Sequence, residues 1–237
     1  MLENVNDELD RINKSLTTFE NARQFTITES KDILNECRKS ISASHSANSD
    51  LPGNQDKMFK IAQEKAEKGA SLLKKLQKRL KDDYGKSWKQ DLRNYIDNPE
   101  QEIVEAFSLL AILKQQKIPT REISFRMKNP DSYQMVKNTV KVSEGAYIFG
   151  LLDCVGELKR RVFDEMRTGD IDEAIRFFEI MEGLYLQLYT FSLYDKVVKE
   201  ARRKIDVNRI LVDDVRSAIT EEKRRTELIK ALEKLQK

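Results

Sequence analysis

The sequence has few of the side chains on which common catalytic and metal sites depend. His45 is its one histidine, and its two cysteines, Cys37 and Cys154, lie far apart without a Cys-x-x-Cys pair. This argues against a disulfide framework and a zinc site and favours a reducing compartment. A histidine-based triad and the Glu-x-x-His pairs of di-iron bundles are excluded, and no Walker or dinucleotide-binding motif is present. Among common chemistries, carboxylates with Mg²⁺ remain.

Glycine and proline are also scarce, with eight and four residues among 237, whereas charged residues make up 35%. Leucine, isoleucine, lysine and glutamate recur at helical spacing, so the composition predicts an all-α protein, which we expect to be one domain over residues 1–237. No apolar run approaches the roughly 20 residues that a membrane span requires, and the first eight residues lack the basic and apolar regions of a signal peptide. We therefore expect a soluble, cytoplasmic protein without a membrane partner.

The overall charge does not identify a partner. Forty-three basic and forty acidic side chains give a formal net charge of +3. Any surface that binds nucleic acid must therefore come from local segregation of charge, because bulk basicity is absent.

Apolar residues at intervals of three and four predict the helices of the first half. They indicate one long helix, or two in line, over about 9–41, a second over about 55–81, and a short one over about 88–96. The polar segment 44–53 is typical of a connection between helices. Asn98 and Pro99, with Gln101 two residues later, predict the start of a further helix that is apolar on almost all sides.

The second half is also predicted to be helical. Residues 119–122 are expected to end the preceding helix and cap a brief one, and the polar stretch 126–139 to form a loop. Ser143 and Asp170 are predicted N-caps of two further helices, the first over about 144–167. Aromatic and methionine side chains from Phe177 to Tyr189 are typical of a core or subunit interface, with a base-stacking platform as the alternative. The last region, about 192–236, is expected to be one bent helix or two.

Two pairs of carboxylates stand on predicted helices. Glu102 and Glu105 are three residues apart and Asp153 and Glu157 four apart, so the members of each pair lie on one side of their helix. Four acids brought to one point repel one another unless they are protonated or given a cation. Mg²⁺ suits such oxygen ligands, and it can hold a phosphate and activate a water. The pattern supports the hypothesis of a metal-dependent nuclease site.

Each pair also has a simpler interpretation. Glu102 and Glu105, near the predicted start of their helix, would complement its dipole and its free N–H groups. Asp153 and Glu157 fall nearly opposite the apolar stripe of their helix, where charged residues commonly form a solvated face; a cavity or subunit-lined surface is the alternative. The basic clusters 202–204 and 223–225 are interpreted as solvated faces, with phosphate contact as the alternative.

Four segments of the sequence, residues 28–31, 101–106, 119–122 and 150–158, carry a resemblance to a known family. Together they resemble the translin superfamily, and in particular its catalytic branch, the Trax (translin-associated factor X) proteins. Residues 28–31, Thr-Glu-Ser-Lys, are similar to a segment of the first Trax helix, and residues 101–106, Gln-Glu-Ile-Val-Glu-Ala, to a Trax Gln-Glu-aromatic-aliphatic-Glu-Ala helix. Residues 150–158, Gly-Leu-Leu-Asp-Cys-Val-Gly-Glu-Leu, resemble its Gly-x-x-Asp-x-x-Gly-Glu-Leu motif, followed at the family spacing by Gly-Asp-Ile-Asp at 169–172. Residues 119–122 are similar to a translin segment.

The resemblance implies a seven-helix bundle that assembles into a hollow octameric shell, with Mg²⁺-dependent endoribonuclease activity on RNA held inside. Mn²⁺ is the expected substitute metal. By matching position, Glu102, Glu105 and Asp153 are the metal-binding catalytic acids, and Lys31 is a supporting active-site cation. Glu157 stands where Trax proteins also have an acid and is counted as a further metal ligand.

The resemblance leaves the substrate and the assembly partner open. Arg38, Arg93 and Arg160 are the candidate nucleic-acid-binding residues, for single-stranded RNA, short duplex RNA or single-stranded DNA. The basic N-terminal extension of eukaryotic Trax is missing, so we expect a microbial, archaeal relative that forms a homo-oligomer, with a translin-type paralogue as the alternative partner. The alternative functions are a non-catalytic translin-like shell that binds RNA and a purely structural helical assembly.

Overall fold

The structure, a computed structural model, describes residues 3–47, 53–85, 88–128 and 134–235. The chain divides into two compact units, Met1–Tyr147 and Ile148–Lys237. The first unit contains helices α1 (Glu3–Ser46), α2 (Asn54–Tyr84), α3 (Trp88–Asp91) and α4 (Arg93–Leu113), and strands β1 (Glu122–Lys128) and β2 (Met135–Lys141). Helix α5 (Glu144–Thr168) begins at the end of the first unit. The second unit continues with α6 (Ile171–Tyr189), a 3₁₀ turn over Thr190–Tyr194, and α7 (Ala201–Leu235). The expectation of a mainly helical protein is confirmed.

The core of the first unit forms where α1, α2 and α4 pack against one another. Gly69 of α2 lies at the closest approach, since a Cβ atom there would be 3.1 Å from Ile103 Cδ1 and 3.2 Å from Cys37 Sγ. The hydroxyl of Ser40 donates a hydrogen bond to the carbonyl oxygen of Ala62 at 2.8 Å, which also joins α1 to α2. A Cβ atom at position 69 would force the Ile103 and Cys37 side chains to shift by a few tenths of an ångström, so the glycine allows the close packing.

The predicted helix start at Asn98 is wrong, because α4 begins at Arg93 and contains Pro99 in its interior. Proline has no N–H, so the carbonyl of Tyr95, four residues earlier, loses its usual helical donor. The hydroxyl of Ser30 on α1 donates to this carbonyl at 3.5 Å. This contact from α1 replaces part of the missing bond, which lets the helix continue through a residue that normally ends one.

The segment predicted as a loop over 126–139, with a brief helix before it, contains an antiparallel hairpin of β1 and β2. Ile123 pairs with Val140 and Phe125 with Asn138, and Ile123, Phe125 and Val140 are buried. The buried face packs against α2. The segment alternates apolar and polar residues with the period of two that marks a half-buried strand. The exposed polar face made the segment resemble a loop.

The second unit is built from α5, α6 and α7. Both predicted N-caps are confirmed: the hydroxyl of Ser143 accepts from the N–H of Ala146 at 3.2 Å, and the Asp170 carboxylate from the N–H of Glu173 at 3.0 Å. Phe177, like Met181 and Tyr185, is buried, as expected for a core stripe.

The last predicted region, over about 192–236, contains the 3₁₀ turn and the single helix α7. In the portions of the chain that the structure describes, no helix is both long and apolar enough to cross a bilayer.

Candidate functional site

The acidic pair of α4 lies against α1 within the first unit. Glu105 is 8% exposed and Glu102 is partly buried, among the buried apolar residues Ile103 and Val104. Burial raises the pKa of the Cys37 thiol of α1, and the negative charges of Glu102 and Glu105 raise it further. Both carboxylates therefore lie near Cys37, at the packed contact of α1 with α4. A carboxylate buried there needs a cation or hydrogen-bond donors.

Two of the predicted cations lie on α1. Arg38, next to Cys37 in the chain, lowers the pKa of that thiol, so its positive charge lies in the same electrostatic environment as the two acids. Lys31 stands seven residues earlier, about 10 Å along the helix. Both side chains are exposed to solvent. Arg38 is thus an exposed cation next to the thiol whose pKa both acids affect, and Lys31 is accessible to a ligand on the same helix.

A third acid near Cys37 is already neutralised by lysines. The buried Glu36 carboxylate lies 3.2 Å from Lys39 Nζ, 3.4 Å from Lys65 Nζ and 3.2 Å from Lys68 Nζ. Burial alone would raise the pKa of Glu36, but hydrogen bonds from Lys68 and Lys39 lower it below the ordinary value. Glu36 is therefore a structural ion-pair centre. The sequence pattern did not single it out, because Lys65 and Lys68 come from a different helix.

Asp153 is bound to a lysine of the second unit. Lys204 Nζ of α7 lies 2.6 Å from Asp153 Oδ1 and 5.1 Å from the centre of the Phe149 ring. Asp153 and Glu157 are both partly buried, whereas Arg160 is exposed. The face of α5 that carries Asp153 is therefore covered in part by α7, and is more enclosed than a solvated face.

The sequence does not predict that Lys204 pairs with Asp153. It shows only the basic cluster 202–204. Lys204 follows the buried Ala201 and precedes the buried Ile205, so it lies at the edge of the buried face of α7. Arg202 and Arg203 are exposed. A position at the edge of an apolar stripe is the one sequence signal that distinguishes Lys204 from its neighbours.

The third predicted nucleic-acid residue, Arg93, lies at a separate cavity of about 260 Å³ in the first unit. Its guanidinium pairs with Asp97 at 3.4 Å. Nine residues separate Arg93 from Glu102, about 13 Å along α4. The same cavity contains the buried Glu100, whose pKa is raised by burial and whose carboxylate accepts from the N–H of Ser143 at 2.7 Å. Arg93 thus belongs to the contact between α4 and the start of α5 and lies away from the acidic pair.

The donor atoms of the acidic pair suit Mg²⁺. This ion prefers oxygen ligands, keeps several waters, and is commonly bound through one or two carboxylates together with substrate phosphates. Glu102 and Glu105 supply two such carboxylates one helical turn apart. Across the ranges that the structure describes, no group of three histidine, cysteine, aspartate or glutamate side chains is placed to hold a metal ion. The fit to Mg²⁺ therefore rests on the pair, and the roles of Asp153 and Glu157 as ligands stay predictions.

The chain is similar to several known proteins over most of its length. An uncharacterised protein of Methanocaldococcus jannaschii is 30% identical over 208 residues, which cover 87% of this chain and 79% of that protein. The structure of AfC3PO in complex with duplex RNA matches with a TM-score of 0.71 and 24% identity, covering 92% of this chain and 97% of that one.

Two further solved structures share the fold. The crystal structure of AfC3PO matches with a TM-score of 0.70 and 25% identity, covering 92% of this chain and 98% of that one. The structure of apo-NeC3PO matches with a TM-score of 0.56 and 22% identity, covering 93% and 97%. The model of the Translin family matches residues 21–219. The chain therefore belongs to the Translin family.

Proposed function

We propose that this protein is a Mg²⁺-dependent endoribonuclease that cleaves phosphodiester bonds of RNA inside an oligomeric shell. The observation that carries the proposal is the pair Glu102 and Glu105, held one turn apart on α4, whose negative charges both raise the pKa of Cys37 on α1. The sequence around them matches the acidic segment of the catalytic Trax branch. Mg²⁺ prefers oxygen ligands, and the two carboxylates supply them in a partly buried site.

The residues of the chain have distinct roles in this proposal. Glu102 and Glu105 hold the metal, Asp153 and Glu157 are further acidic ligands, and Mn²⁺ is the substitute ion. When bound, the metal would supply Lewis-acid stabilisation of the phosphate and would lower the pKa of a water. Arg38 is placed to attract the negative phosphate towards the acids, and the exposed Lys31 extends this positive surface along α1. Arg160 of the second unit and Arg93 of the first are the other candidate phosphate contacts.

The exposed half of α1 supports assembly from copies of the chain. Residues 4–21 are exposed throughout, yet Val5, Leu9, Ile12, Leu16 and Phe19 recur at alternating intervals of four and three and are 38 to 62% exposed. This is a heptad pattern in which Leu9 and Leu16 occupy the a positions and Val5, Ile12 and Phe19 the d positions. Leucine at a with mainly β-branched residues at d favours assemblies of more than two helices. A helix with one apolar stripe gains most of its stability by packing that stripe. We propose that copies of α1 pack through it within a homo-octamer; a translin-type paralogue is the alternative partner.

RNA is the proposed ligand because a structure of the same fold, AfC3PO, is a complex with duplex RNA. The second candidate function is a non-catalytic shell that binds RNA or single-stranded DNA. One observation favours it: within the described ranges, no three potential ligand side chains form a metal-binding group. The two functions differ in their need for a divalent ion, because RNA binding through cations persists in EDTA whereas the proposed cleavage does not.

The test is incubation of purified protein with end-labelled single-stranded RNA, in Mg²⁺ or in EDTA, beside Asp153→Asn and the exposed-surface control Glu179→Gln. We expect cleavage by the wild type and by Glu179→Gln in Mg²⁺ alone, strongly reduced cleavage by Asp153→Asn, and RNA binding by all three. Binding without cleavage in Mg²⁺ and in Mn²⁺ would establish the non-catalytic shell instead.

A further inference from the structure

A second basic site lies in the first unit, between α2 and the β-hairpin. A groove of about 310 Å³ separates the two elements, and its lining residues are Ser71, Lys74, Lys75, Lys78, Met127, Val136 and Asn138. Three of these residues are lysines and none is acidic. They differ from the residues round Glu102 and Glu105, and Lys78 stands about 13 Å along α2 from Gly69, where α2 meets Cys37 and Ile103.

The lysines of the groove are not neutralised by the protein. Lys74 Nζ donates to the neutral amide oxygen of Asn138 at 2.6 Å, and Lys75 and Lys78 are exposed. In the described part of the chain, none of the three forms an ion pair with a carboxylate. On the same helix, by contrast, Lys65 and Lys68 are held by Glu36. The lysines nearest the hairpin therefore leave their charge available to an anion.

We propose that the groove between α2 and the hairpin binds the sugar–phosphate backbone of a nucleic acid. The three lysines of the groove, with the Ser71 hydroxyl and the Asn138 amide beside them, fit successive phosphates of a polyanion better than a single phosphate, which one or two cations would satisfy. The inference rests on the proposed function in one respect, that the nucleic acid is RNA. The site positions the strand and makes no contact with the acids that hold the metal.

The experiment compares two double variants of the full-length protein with the same change of charge and the same spacing on α2. Lys75→Gln/Lys78→Gln alters the groove, whereas Lys57→Gln/Lys60→Gln alters two exposed lysines far along the same helix. The affinity for a labelled single-stranded RNA is measured in EDTA from 50 to 200 mM salt. Each lost phosphate contact reduces the slope of log affinity against log salt by about 0.7. The groove variant loses two lysines, so its slope should be smaller than that of the wild type by about 1.4. Between 50 and 200 mM salt, the fall in RNA affinity should therefore be about sevenfold smaller for the groove variant than for the wild type.

The outcomes distinguish failure of the groove proposal from failure of the nuclease proposal. Equal affinity and equal salt slope for the groove variant and the control would overturn the inference while leaving the nuclease untouched. A reduced slope in the groove variant, with no Mg²⁺-dependent cleavage by the wild type, would confirm the inference and refute the nuclease. Loss of binding to anionic phosphatidylserine vesicles with unchanged RNA affinity would assign the groove to a membrane surface and overturn the inference. A wild type that binds no RNA contradicts both proposals.

Discussion

Lys204 Nζ lies 2.6 Å from Asp153 Oδ1, and this ion pair joins α7 to α5 within the second unit. Both side chains are about three-quarters buried, so the lysine neutralises a carboxylate that water reaches only in part. A protonated lysine and a divalent ion compete for the same carboxylate, because each satisfies its negative charge. Lys204 therefore opposes metal binding if Asp153 is a ligand.

Replacing Lys204 should tighten the binding of Mg²⁺. In Lys204→Met, the Mg²⁺ concentration that gives half of the thermal stabilisation should fall below that of the wild type, while in metal-free buffer the free energy of unfolding drops by about 1 kcal/mol or less. Thermal unfolding at increasing Mg²⁺ measures both. Arg203→Met, a neighbouring exposed cation, is the control. An unchanged or higher midpoint in Lys204→Met would show that Asp153 does not bind the metal.

The carboxylate of Glu36 should contribute to the pH dependence of stability. Its pKa is lowered in the folded protein, so the stabilisation is present above the ordinary glutamate pKa of about 4.3 and is lost as the pH falls through the lower folded value. Glu36→Gln should lower the free energy of unfolding at neutral pH by about 1 to 3 kcal/mol. The difference from the wild type should shrink on acidification below about pH 4.

Urea unfolding at several pH values measures this difference, with the exposed Glu64→Gln as the control. A difference between wild type and Glu36→Gln that is constant from neutral pH to pH 3 would contradict the assignment, since the linkage requires it to vary.

Ser30 should matter to α4 because Pro99 is there. Ser30→Ala removes the donor to the Tyr95 carbonyl and should lower the free energy of unfolding by about 1 kcal/mol. In a Pro99→Ala background, the N–H of the new residue can supply the helical bond, so the same change should cost less. A double-mutant cycle by chemical denaturation gives the coupling. Equal costs of Ser30→Ala in both backgrounds would mean that the 3.5 Å contact contributes nothing.

The exposed stripe of α1 should determine the mass of the assembly. Leu9→Gln/Leu16→Gln places two amides in the heptad seam and should shift native mass measurements towards smaller species, because the seam then buries less apolar surface. Asp7→Asn/Lys14→Gln changes the opposite side of the same helix and should leave the mass as in the wild type. If the leucine variant assembles like the wild type, another surface holds the copies together.

The sequence predicted the helices and caps well where one local pattern acted alone. Ser143 and Asp170 cap their helices as expected, because a hydroxyl or carboxylate at that position needs only the first turn of its own helix. The start of α4 was predicted wrongly because the local capping signal of Asn98 and Pro99 does not include the packing of α4 on α1, where Ser30 contacts the carbonyl of Tyr95, 65 positions away. A local sequence pattern cannot predict such a long-range contact.

The sequence also predicted only the local features of the candidate site. The sequence shows the spacing of Glu102 and Glu105 on one helix and their place in a family motif. The lysine that binds Asp153 and two of the three lysines that surround Glu36 come from other helices, so only tertiary structure identifies them. The hairpin was missed because its polar face outweighed the alternation of Ile123, Phe125 and Val140.

The central claim, that Glu102 and Glu105 hold the metal for RNA cleavage, is tested most directly by single-turnover cleavage at saturating protein in Mg²⁺. The variant Glu105→Gln is compared with Glu100→Gln, an equally buried glutamate on the same helix that lies outside the acidic pair. The claim predicts that Glu105→Gln loses about a hundredfold or more in cleavage rate with unchanged RNA affinity, while Glu100→Gln cleaves like the wild type. Wild-type cleavage by Glu105→Gln would contradict it.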